Sequence, residues 1–563
     1  MKKIPSIVMA FVLTLSLLGC GPVVKDGIDK NRTQLYVAVF NGGFGSQWLK
    51  DLGVAYETLH PEIQVVVDDT KKDELNTDNL KNSASTYGTD VYMGVPVNYL
   101  AMIRAGNLAA DITDIVTGNI TYGESYTDTP IATRMDAQMK SFYNNGTADA
   151  PQYYAVPVGG SPWGLNYDVD LFEEEELYIA SSDGTGTNIV WTSGKTGSAA
   201  KSVGLDGEAG SYDDGTPTTF EDFKELILRM AEKNITPFMW CQDYSSYRYF
   251  MLMSMWADYE GAETFNGALS MDGGTYEIYD DTKSTFEEAM ASDGKKATID
   301  ADNGYYISKM KGKGAAIEFA EFIGQGEYFD RRVNLPSTTF LTAQQYYVSS
   351  INDPQHSRCA FIIDGGYWYS EIRAYDEDFT AKRLSTKYPN GRRYSIMPFP
   401  KFSTSKNTQK STFLMENAIG AFVYKNTPRL SLAKDFLQFC FSTENIKKQV
   451  ASTGRHMFYD YTLSEQESNG LPYYYRMVEE ALASEHTETV IDLYKTDFYR
   501  WNEGYQTKQN LLWGGSFSNN GTAAGLVNPI FEFKSYASLN KHLYMTTNTF
   551  TPQSWRNQFK THA

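Results

Sequence analysis

The segment Ala360–Ile372, with the sequence AFIIDGGYWYSEI, most constrains what this chain can fold into. Its apolar run predicts a short buried strand, and the aromatic residues further on begin a helix. Between them, the pair Gly365-Gly366 carries no side chains, so the chain can turn sharply. The turn presents Tyr367 and Trp368 at the carboxyl end of the strand, where open α/β sheets form their ligand crevices. The alternative for both rings is a core position that caps the sheet.

The amino-terminal part of the chain also alternates strand and helix patterns. Gln34–Phe40 predicts a strand, apolar residues at helical spacing from Trp48 onwards predict a helix that ends before Pro61, and Ile63–Val67 predicts a second strand. Such alternation is typical of layered α/β lobes. The glycine-rich turn at residues 41–46 lacks the G-x-G-x-x-G spacing of dinucleotide-binding turns, which argues against a nucleotide site.

The first 19 residues have the pattern of a lipoprotein signal. Two lysines precede the apolar run Ile7–Leu18, which is too short for a permanent membrane span. The run leads into Gly-Cys, so we expect cleavage before Cys20 and attachment of the lipid, including palmitate, to that residue, although Leu18 replaces the usual small residue. Residues 20–32 then form a tether. We expect a protein anchored by acyl chains to the outer face of the cell membrane.

Composition excludes several classes of protein. The chain carries 69 acidic and 50 basic residues, a formal net charge of −19, which argues against binding to nucleic acid. Beyond Cys20, the cysteines Cys241, Cys359 and Cys440 form an odd number, so at least one is free and no disulfide framework is indicated. The 6 histidines are scattered and no Cys/His cluster occurs, so neither a metal site nor another cofactor is expected.

Aromatic residues are the informative excess. The 563 residues include 40 Tyr, 31 Phe and 9 Trp, and tyrosine offers a flat apolar face together with a hydroxyl group. These properties suit polyhydroxylated ligands. The length of the chain favours two or more lobes over a single domain.

Five phrases occur in one order and carry a resemblance to a known family. They read YAVPVGG…GLNYDVDLF, PTTFEDFKELILRMAEKNITPF, RCAFIIDGGYWYSEI, YSIMPFP and NAIGAFVYKNTPRLSLAKDFLQFCFSTENIKKQ…TGRHMF. Together they resemble the extracellular solute-binding lipoproteins of bacterial ABC importers, in the branch that includes maltose- and multiple-sugar-binding proteins. The resemblance covers most of residues 33–460. It implies a monomer with two α/β lobes, crossing hinge strands, an interlobe cleft, and delivery of ligand to a membrane permease.

The resemblance also implies a division of the chain. The amino-terminal lobe would comprise residues 33–160 and 418–460, and the carboxyl-terminal lobe residues 161–417 and 461–563. The chain would cross between them near Gly160–Gly164 and Ala418–Phe422. Two segments rich in small and acidic residues, 181–215 and 272–303, read as irregular insertions. The acids between Asp206 and Asp214 lack the spacing of a calcium loop.

Ligand contacts in the family come from loops that face the cleft. The matching positions are Asn41, Phe44, Trp48, Asn98, Ser161, Trp163, Trp240, Gln242, Asp243, Tyr244, Tyr247, Tyr367, Trp368 and Arg455. Aromatic faces would stack on the apolar side of a pyranose, and the polar groups would bind its hydroxyls. For each tryptophan the alternative is core packing. Asp364 is expected to orient its turn rather than to contact ligand.

Two other functions remain open on sequence grounds. A surface enzyme that degrades glycans would need paired carboxylates, and Asp90, Asp243 and Asp364 are available, but no phrase sets two acids as acid and base. A binding protein for peptides or metabolites would need a charged clamp, whereas the expected site is aromatic and neutral to acidic. The favoured function is therefore capture of a carbohydrate, an oligosaccharide, for import without chemical change.

Overall fold

The computed structural model describes residues 27–70, 88–95, 108–120, 122, 129–193, 201–241, 246–292, 294–325, 328–335, 337–406, 409–491, 552, 553 and 555. The strands are β1 (Thr33–Val39), β2 (Ile63–Asp68), β3 (Val91–Val95), β4 (Val156–Trp163), β5 (Leu165–Asp168), β6 (Ile179–Ser181), β7 (Val190–Trp191), β8 (Thr236–Trp240), β9 (Thr275–Glu277), β10 (Lys296–Thr298), β11 (Cys359–Ile363), β12 (Tyr394–Met397), β13 (Ser411–Val423) and β14 (Thr487–Ile491).

Helices separate most of these strands. The α-helices are Gln47–Leu59, Thr113–Thr117, Ile131–Arg134, Ala137–Tyr143, Val169–Glu174, Phe220–Glu232, Ser246–Glu260, Ala262–Ser270, Phe286–Ala291, Lys311–Gln325, Phe340–Ser349, Trp368–Arg383, Leu430–Cys440, Thr443–Thr453, Glu465–Asn469 and Tyr473–Ala483. Short 3₁₀ turns occur at Gly304–Lys309, Arg331–Asn334, Ser350–Asn352 and Thr404–Lys406. Within the described residues, no helix combines the length and apolar character needed to cross a bilayer.

Two separate sheets each support a hydrophobic core. The larger has the order β14-β13-β3-β1-β2, with β4 also paired to β13, and the smaller has the order β12-β5-β11-β8. In the larger sheet β1 is parallel to both β2 and β3, as the predicted β-α-β opening requires. In the smaller sheet β11 is parallel to β8 and antiparallel to β5. The expected two-lobed α/β fold is confirmed.

Strands β4 and β13 run between the two cores. They pair antiparallel, with Leu414 opposite Trp163 at one end and Ala421 opposite Val156 at the other. Leu414 and Trp163 belong to the core around the smaller sheet, whereas Ala421 and Val156 belong to the core around the larger one. The pairing shifts register between Glu416 and Gly420. The polypeptide therefore passes from lobe to lobe along two adjacent strands.

The helix Phe220–Glu232 shows how local sequence produces local structure. Thr219 caps it, because its hydroxyl accepts a hydrogen bond from the backbone N–H of Asp222. Phe223, Leu226 and the neighbouring apolar residues at helical spacing are buried against the smaller sheet, as the sequence pattern predicts. The helix Leu430–Cys440 likewise buries an apolar stripe, formed by Ala433, Phe436, Leu437 and Cys440.

The two segments predicted to be irregular are more ordered than expected. Strand β7 pairs with β6 in the first segment, and β9 pairs with β10 in the second. Tyr212 is buried, and the carboxylate of buried Asp213 accepts hydrogen bonds from the backbone N–H groups of Leu205 and Asp206. Buried Tyr212 and the hydrogen-bonded Asp213 thus fix part of the first segment to the body. Residues 194–200 and 293 lie outside the described part.

The cysteines other than Cys20 are not cross-linked. Cys241, Cys359 and Cys440 are all buried, and none of them forms a disulfide. Burial raises the pKa of the Cys359 and Cys440 thiols well above the ordinary value, so neither is a ready nucleophile. Cys20 itself lies outside the described residues.

Candidate functional site

Three segments from both lobes meet beside the crossing strands. They are the glycine turn after β1 (residues 41–46), the carboxyl-terminal part of β4, and the turn after β11 (residues 364–367). Gly43 has a φ of +62°, which glycine adopts without strain. A Cβ atom added at Gly43 would lie 3.3 Å from the Cβ of Tyr367, so the first lobe's turn approaches the second lobe's turn closely.

The turn after β11 is fixed to the crossing strand by its backbone. The N–H of Gly366 donates to the carbonyl oxygen of Pro162 at 3.0 Å, and Trp163 and Gly365 form an isolated β-bridge. The side-chain amide of Asn166 donates to the Asp364 carbonyl oxygen at 2.7 Å. Asp364 therefore belongs to the structure that orients the turn. Rotation of the turn relative to β4 would break these bonds.

Five aromatic rings form what we call the interlobe cluster: Phe44, Trp163, Tyr247, Phe250 and Tyr367. Phe44 comes from the first lobe, and its ring centroid lies 6.1 Å from that of Tyr367 in an edge-to-face arrangement. Trp163 lies 5.9 Å from Tyr247 and 6.5 Å from Tyr367, and Tyr247 lies 6.4 Å from Tyr367. Phe250 stacks on Trp163 at 5.6 Å and was not anticipated from sequence. These distances are those of favourable aromatic pairs.

Arg455 adds a cation to the edge of this cluster. Its guanidinium carbon lies 4.4 Å from the centroid of Phe44 and 5.1 Å from that of Trp48, both within the range of cation–π attraction. Trp48 is buried, and its indole N–H donates to the carbonyl oxygen of Gly45 at 3.0 Å. Burial lowers the pKa of Arg455 to about 9, which leaves the guanidinium charged at neutral pH.

Glu371 connects the two lobes by a hydrogen bond that sequence reasoning missed. Its Oε1 accepts from the N–H of Gly43 at 3.1 Å, and its Oε2 accepts from the side-chain amide of Gln344 at 2.7 Å. The same amide donates to Oδ2 of Asp364 at 3.1 Å. Burial raises the pKa of Glu371 to about 7, against the lowering effect of these donors. The sequence offered one indication of this role: Glu371 lies in the first turn of the helix that begins at Trp368, where a carboxylate is favoured.

The sequence from the glycine turn onwards matches a known protein family. The family described as "Bacterial extracellular solute-binding protein" matches residues 42–323, half of the chain. The chain belongs to this family. Members of the family are binding proteins of the cell exterior, in agreement with the resemblance noted from the sequence. A search of curated proteins finds no match to this solute-binding protein.

Solved structures share the fold of this solute-binding protein. A chitin oligosaccharide binding protein aligns with a TM-score of 0.52 and 14% identity over 89% of this chain and 98% of the other. A structure from work on xylan utilization by Caldanaerobius polysaccharolyticus has a TM-score of 0.51 and 12% identity, covering 94% and 99%. The apo-form of RafE from Streptococcus pneumoniae has a TM-score of 0.50 and 12% identity, covering 90% and 98%. At these identities the likeness shows the fold.

Two predicted tryptophans lie in the core of the second lobe instead of at the interlobe cluster. Trp368 is fully buried, with Tyr347, Tyr394 and Tyr474 around it at centroid distances of 5.6, 5.2 and 5.5 Å. Trp240 is buried, and its ring lies 4.9 Å from that of Phe329. These surroundings are the core-packing alternative for both rings.

The remaining predicted positions differ in what the structure says of them. Ser161 is buried on β4, and Asn41 is exposed at the start of the glycine turn. Four predicted contacts lie outside the described residues: Asn98, Gln242, Asp243 and Tyr244. Among the residues that are described, no group of three His, Cys, Asp or Glu side chains is placed to hold a metal ion.

Proposed function

We propose that this solute-binding protein captures an oligosaccharide between its lobes and delivers it, chemically unaltered, to an ABC permease. The observation that carries the proposal is the interlobe cluster, in which rings from both lobes lie within aromatic contact of one another beside the crossing strands. Flat faces of this kind stack on pyranose rings, and the phenol groups at their edges bind hydroxyls. The protein would act as a monomer without a cofactor.

The comparisons support a carbohydrate ligand. The family is one of extracellular solute-binding proteins, and the names of two structural neighbours refer to a chitin oligosaccharide and to xylan utilization. Both are chains of pyranose units. The aromatic excess of this chain, 14% of its residues, fits the same class of ligand.

Lobe closure provides the physical mechanism. The hydrogen bond from Gly43 to Glu371 and the contact between Phe44 and Tyr367 join the two lobes, so both are lost when the lobes separate. A ligand that touches both lobes stabilises the closed state because its contacts are complete only there. In this proposal the lobes comprise residues 33–160 with 418–460 and residues 161–417 with 461–563. The hinge lies in β4 and β13.

The proposed location is the outer face of the cell membrane. Cys20 would carry the lipid, and residues 20–32 would link it to β1, which begins at Thr33. Such a tether holds the protein close to its permease and leaves the lobes free to close.

An enzyme that degrades glycans is the main alternative. Two of its three candidate acids are engaged within the fold: Asp90 accepts a hydrogen bond from Arg429 at 2.9 Å, and Asp364 accepts one from the side-chain amide of Gln344 at 3.1 Å. Asp243 lies outside the described residues. We therefore propose binding without catalysis, which predicts that bound sugar is recovered intact.

Thermal unfolding with a panel of oligosaccharides and peptides tests the proposal. The mature chain carrying Cys20→Ala, which stays in solution, should gain thermal stability with one class of oligosaccharide and with no peptide, since ligand bound only to the folded state shifts unfolding. Small-angle scattering should show compaction with the same sugar. Chromatography of the recovered sugar checks for cleavage. Stabilisation by peptides alone, or release of shortened sugars, would refute the proposed function.

A further inference from the structure

Arg455 occupies a position that the fold prepares in detail. It follows the helix Thr443–Thr453, whose end is capped by Gly454 at a φ of +65°. Its backbone N–H donates to the hydroxyl oxygen of Thr453 at 3.1 Å. A Cβ atom added at Gly159 would lie 2.8 Å from the Cδ of Arg455, so the crossing strand β4 leaves space for this side chain only because a glycine stands there.

The guanidinium group at this position is buried, and no carboxylate among the described residues is paired with it. Arg455 is 2% exposed, and its Nε and Nη1 atoms have no hydrogen-bond partner within the described part of the chain. By contrast, the equally buried Arg392 donates to the carboxylate of Asp168 at 2.6 Å and to the Val348 carbonyl oxygen at 2.7 Å. Buried charges in folded proteins are ordinarily paired, because an unpaired one forfeits its hydration.

The contacts with Phe44 and Trp48 place aromatic rings beside the charge of the guanidinium group, but neither ring offers an oxygen that could accept a hydrogen bond from Nε or Nη1. An edge of the guanidinium, formed by Nη2 with either Nε or Nη1, is suited to two parallel hydrogen bonds to a carboxylate. A neutral hydroxyl group cannot supply the negative counter-charge that would balance a buried guanidinium.

A second unpartnered group lies two residues further along the crossing strand. A Cβ atom added at Gly159 would meet Arg455, and one added at Gly366, in the turn after β11, would lie 2.8 Å from the Oγ of Ser161. The Ser161 hydroxyl is buried and has no hydrogen-bond partner among the described residues. The nearby carboxylate of Glu371 is already bound by Gly43 and Gln344.

We propose that Arg455 binds a carboxylate of the ligand, and that the ligand is therefore an acidic oligosaccharide containing uronic acid. This inference rests on the proposed function and names the substrate class of the same site. The interlobe cluster binds the sugar rings, the Arg455 edge binds the carboxylate, and the Ser161 hydroxyl supplies a further hydrogen bond. The net charge of −19 repels anions in general, so selection depends on this buried contact.

Calorimetric titration with matched sugars tests the proposal. The probes are di- and trisaccharides of galacturonic and glucuronic acid, each against its own methyl ester and its neutral parent sugar, with a sulfated oligosaccharide as a further arm. The mature chain carrying Cys20→Ala should bind at least one uronate tenfold or more tightly than the corresponding methyl ester. Arg455→Met should abolish that preference, and Arg455→Lys should keep part of it, because lysine retains the charge without the two-pronged edge.

Arg429→Met is the matched control. Arg429 also stacks on an aromatic ring, that of Tyr36 at 5.3 Å, but it is paired with Asp90 and lies away from the interlobe cluster. The variant should keep the preference for uronate. If it loses the preference as fully as Arg455→Met does, the effect is not specific to the site and the proposal fails.

The remaining outcomes each decide the matter. Equal binding of acid and ester, a preference that survives in Arg455→Met, or binding of neutral glycans only would overturn the inference and leave the proposed function standing. Preference for the sulfated sugar would overturn the assignment of a carboxylate. Absence of binding by every glycan would overturn both. Circular dichroism of each variant shows that it is folded before titration.

Discussion

Replacement of Glu371 by glutamine should remove a pH dependence of stability that the fold creates. Burial raises the pKa of Glu371 from its ordinary value of 4.5 to about 7. The folded protein therefore holds this proton more tightly than the unfolded chain does. The contribution to stability is fully present below pH 4.5 and is lost as the pH rises through 7.

The shift sets the size of the effect. One pKa unit corresponds to about 1.4 kcal/mol, so the full difference is about 3 kcal/mol. The side chain keeps some contact with solvent, and we therefore expect a loss of about 2 kcal/mol between pH 5 and pH 8. Glu371→Gln cannot ionise, yet it retains an acceptor for the N–H of Gly43. Its changed contact with Gln344 costs about 1 kcal/mol at every pH.

Urea unfolding of both proteins across this pH range is the assay. The readout is the difference in pH dependence between wild type and variant, because other buried acids contribute equally to both. Glu260→Gln is the matched control: burial also raises the pKa of Glu260 to about 7, and its carboxylate accepts from the N–H of Gly312, remote from the lobe contact. Both variants should flatten the pH dependence of unfolding. Only Glu371→Gln should change the pH dependence of ligand affinity, since only it joins the lobes.

Parallel pH profiles for wild type and Glu371→Gln would refute this reasoning. Such a result would mean that the Glu371 carboxyl group is as well solvated in the folded protein as in the unfolded chain. Protonation of Glu371 would then have no effect on the lobe contact made by its hydrogen bond with Gly43.

Three further substitutions distinguish residues that stabilise the fold from residues that contact the ligand. Trp368→Ala should lower the free energy of unfolding, measured with urea, by about 3–5 kcal/mol, because the ring is fully buried among tyrosines. The folded variant should keep its ligand affinity to within tenfold. A much larger loss of affinity would return Trp368 to the ligand contacts. Tyr367→Ala should mainly affect binding: calorimetry should show a tenfold or greater loss of ligand affinity, because the Tyr367 ring belongs to the interlobe cluster. Unchanged affinity would show that the cluster is not the binding site. Gly159→Ala should lower the melting temperature by several degrees and weaken ligand binding. Gly159 has a φ of +135°, and a Cβ atom added there would lie 2.6 Å from the backbone oxygen of His456. A variant as stable as wild type would contradict the described path of β4.

Much of the fold could be read from local patterns. The helix Phe220–Glu232 was predictable because its cap, its periodic apolar residues and its length are all encoded within one segment. The same holds for the strand-turn-helix around the pair Gly365-Gly366, where β11 ends at Ile363 and the next helix begins at Trp368. The irregular segments were harder, because β6 with β7 and β9 with β10 depend on a few pairings that carry little periodic signal.

The site was only partly readable. Phe44, Trp163, Tyr247 and Tyr367 were named from sequence and do lie together, and their role as ligand contacts stays a prediction. Phe250 was missed because an aromatic residue within a helix reads as core. The hydrogen bond between Gly43 and Glu371 was missed because its partners lie 328 residues apart. No local spacing reports such a contact.

The sequence by itself determined the alternation of strands and helices, the glycines that make the turns, and the family, because these depend on residues close together in the chain. Tertiary structure alone decided which of two adjacent rings faces the other lobe. Tyr367 contacts Phe44, whereas Trp368 is enclosed by Tyr347, Tyr394 and Tyr474. It likewise decided that Arg455 is buried beside aromatic rings with no carboxylate paired to it among the described residues. The physical reason is that burial and charge pairing are set by neighbours distant in sequence, which the lobes bring together only when they fold.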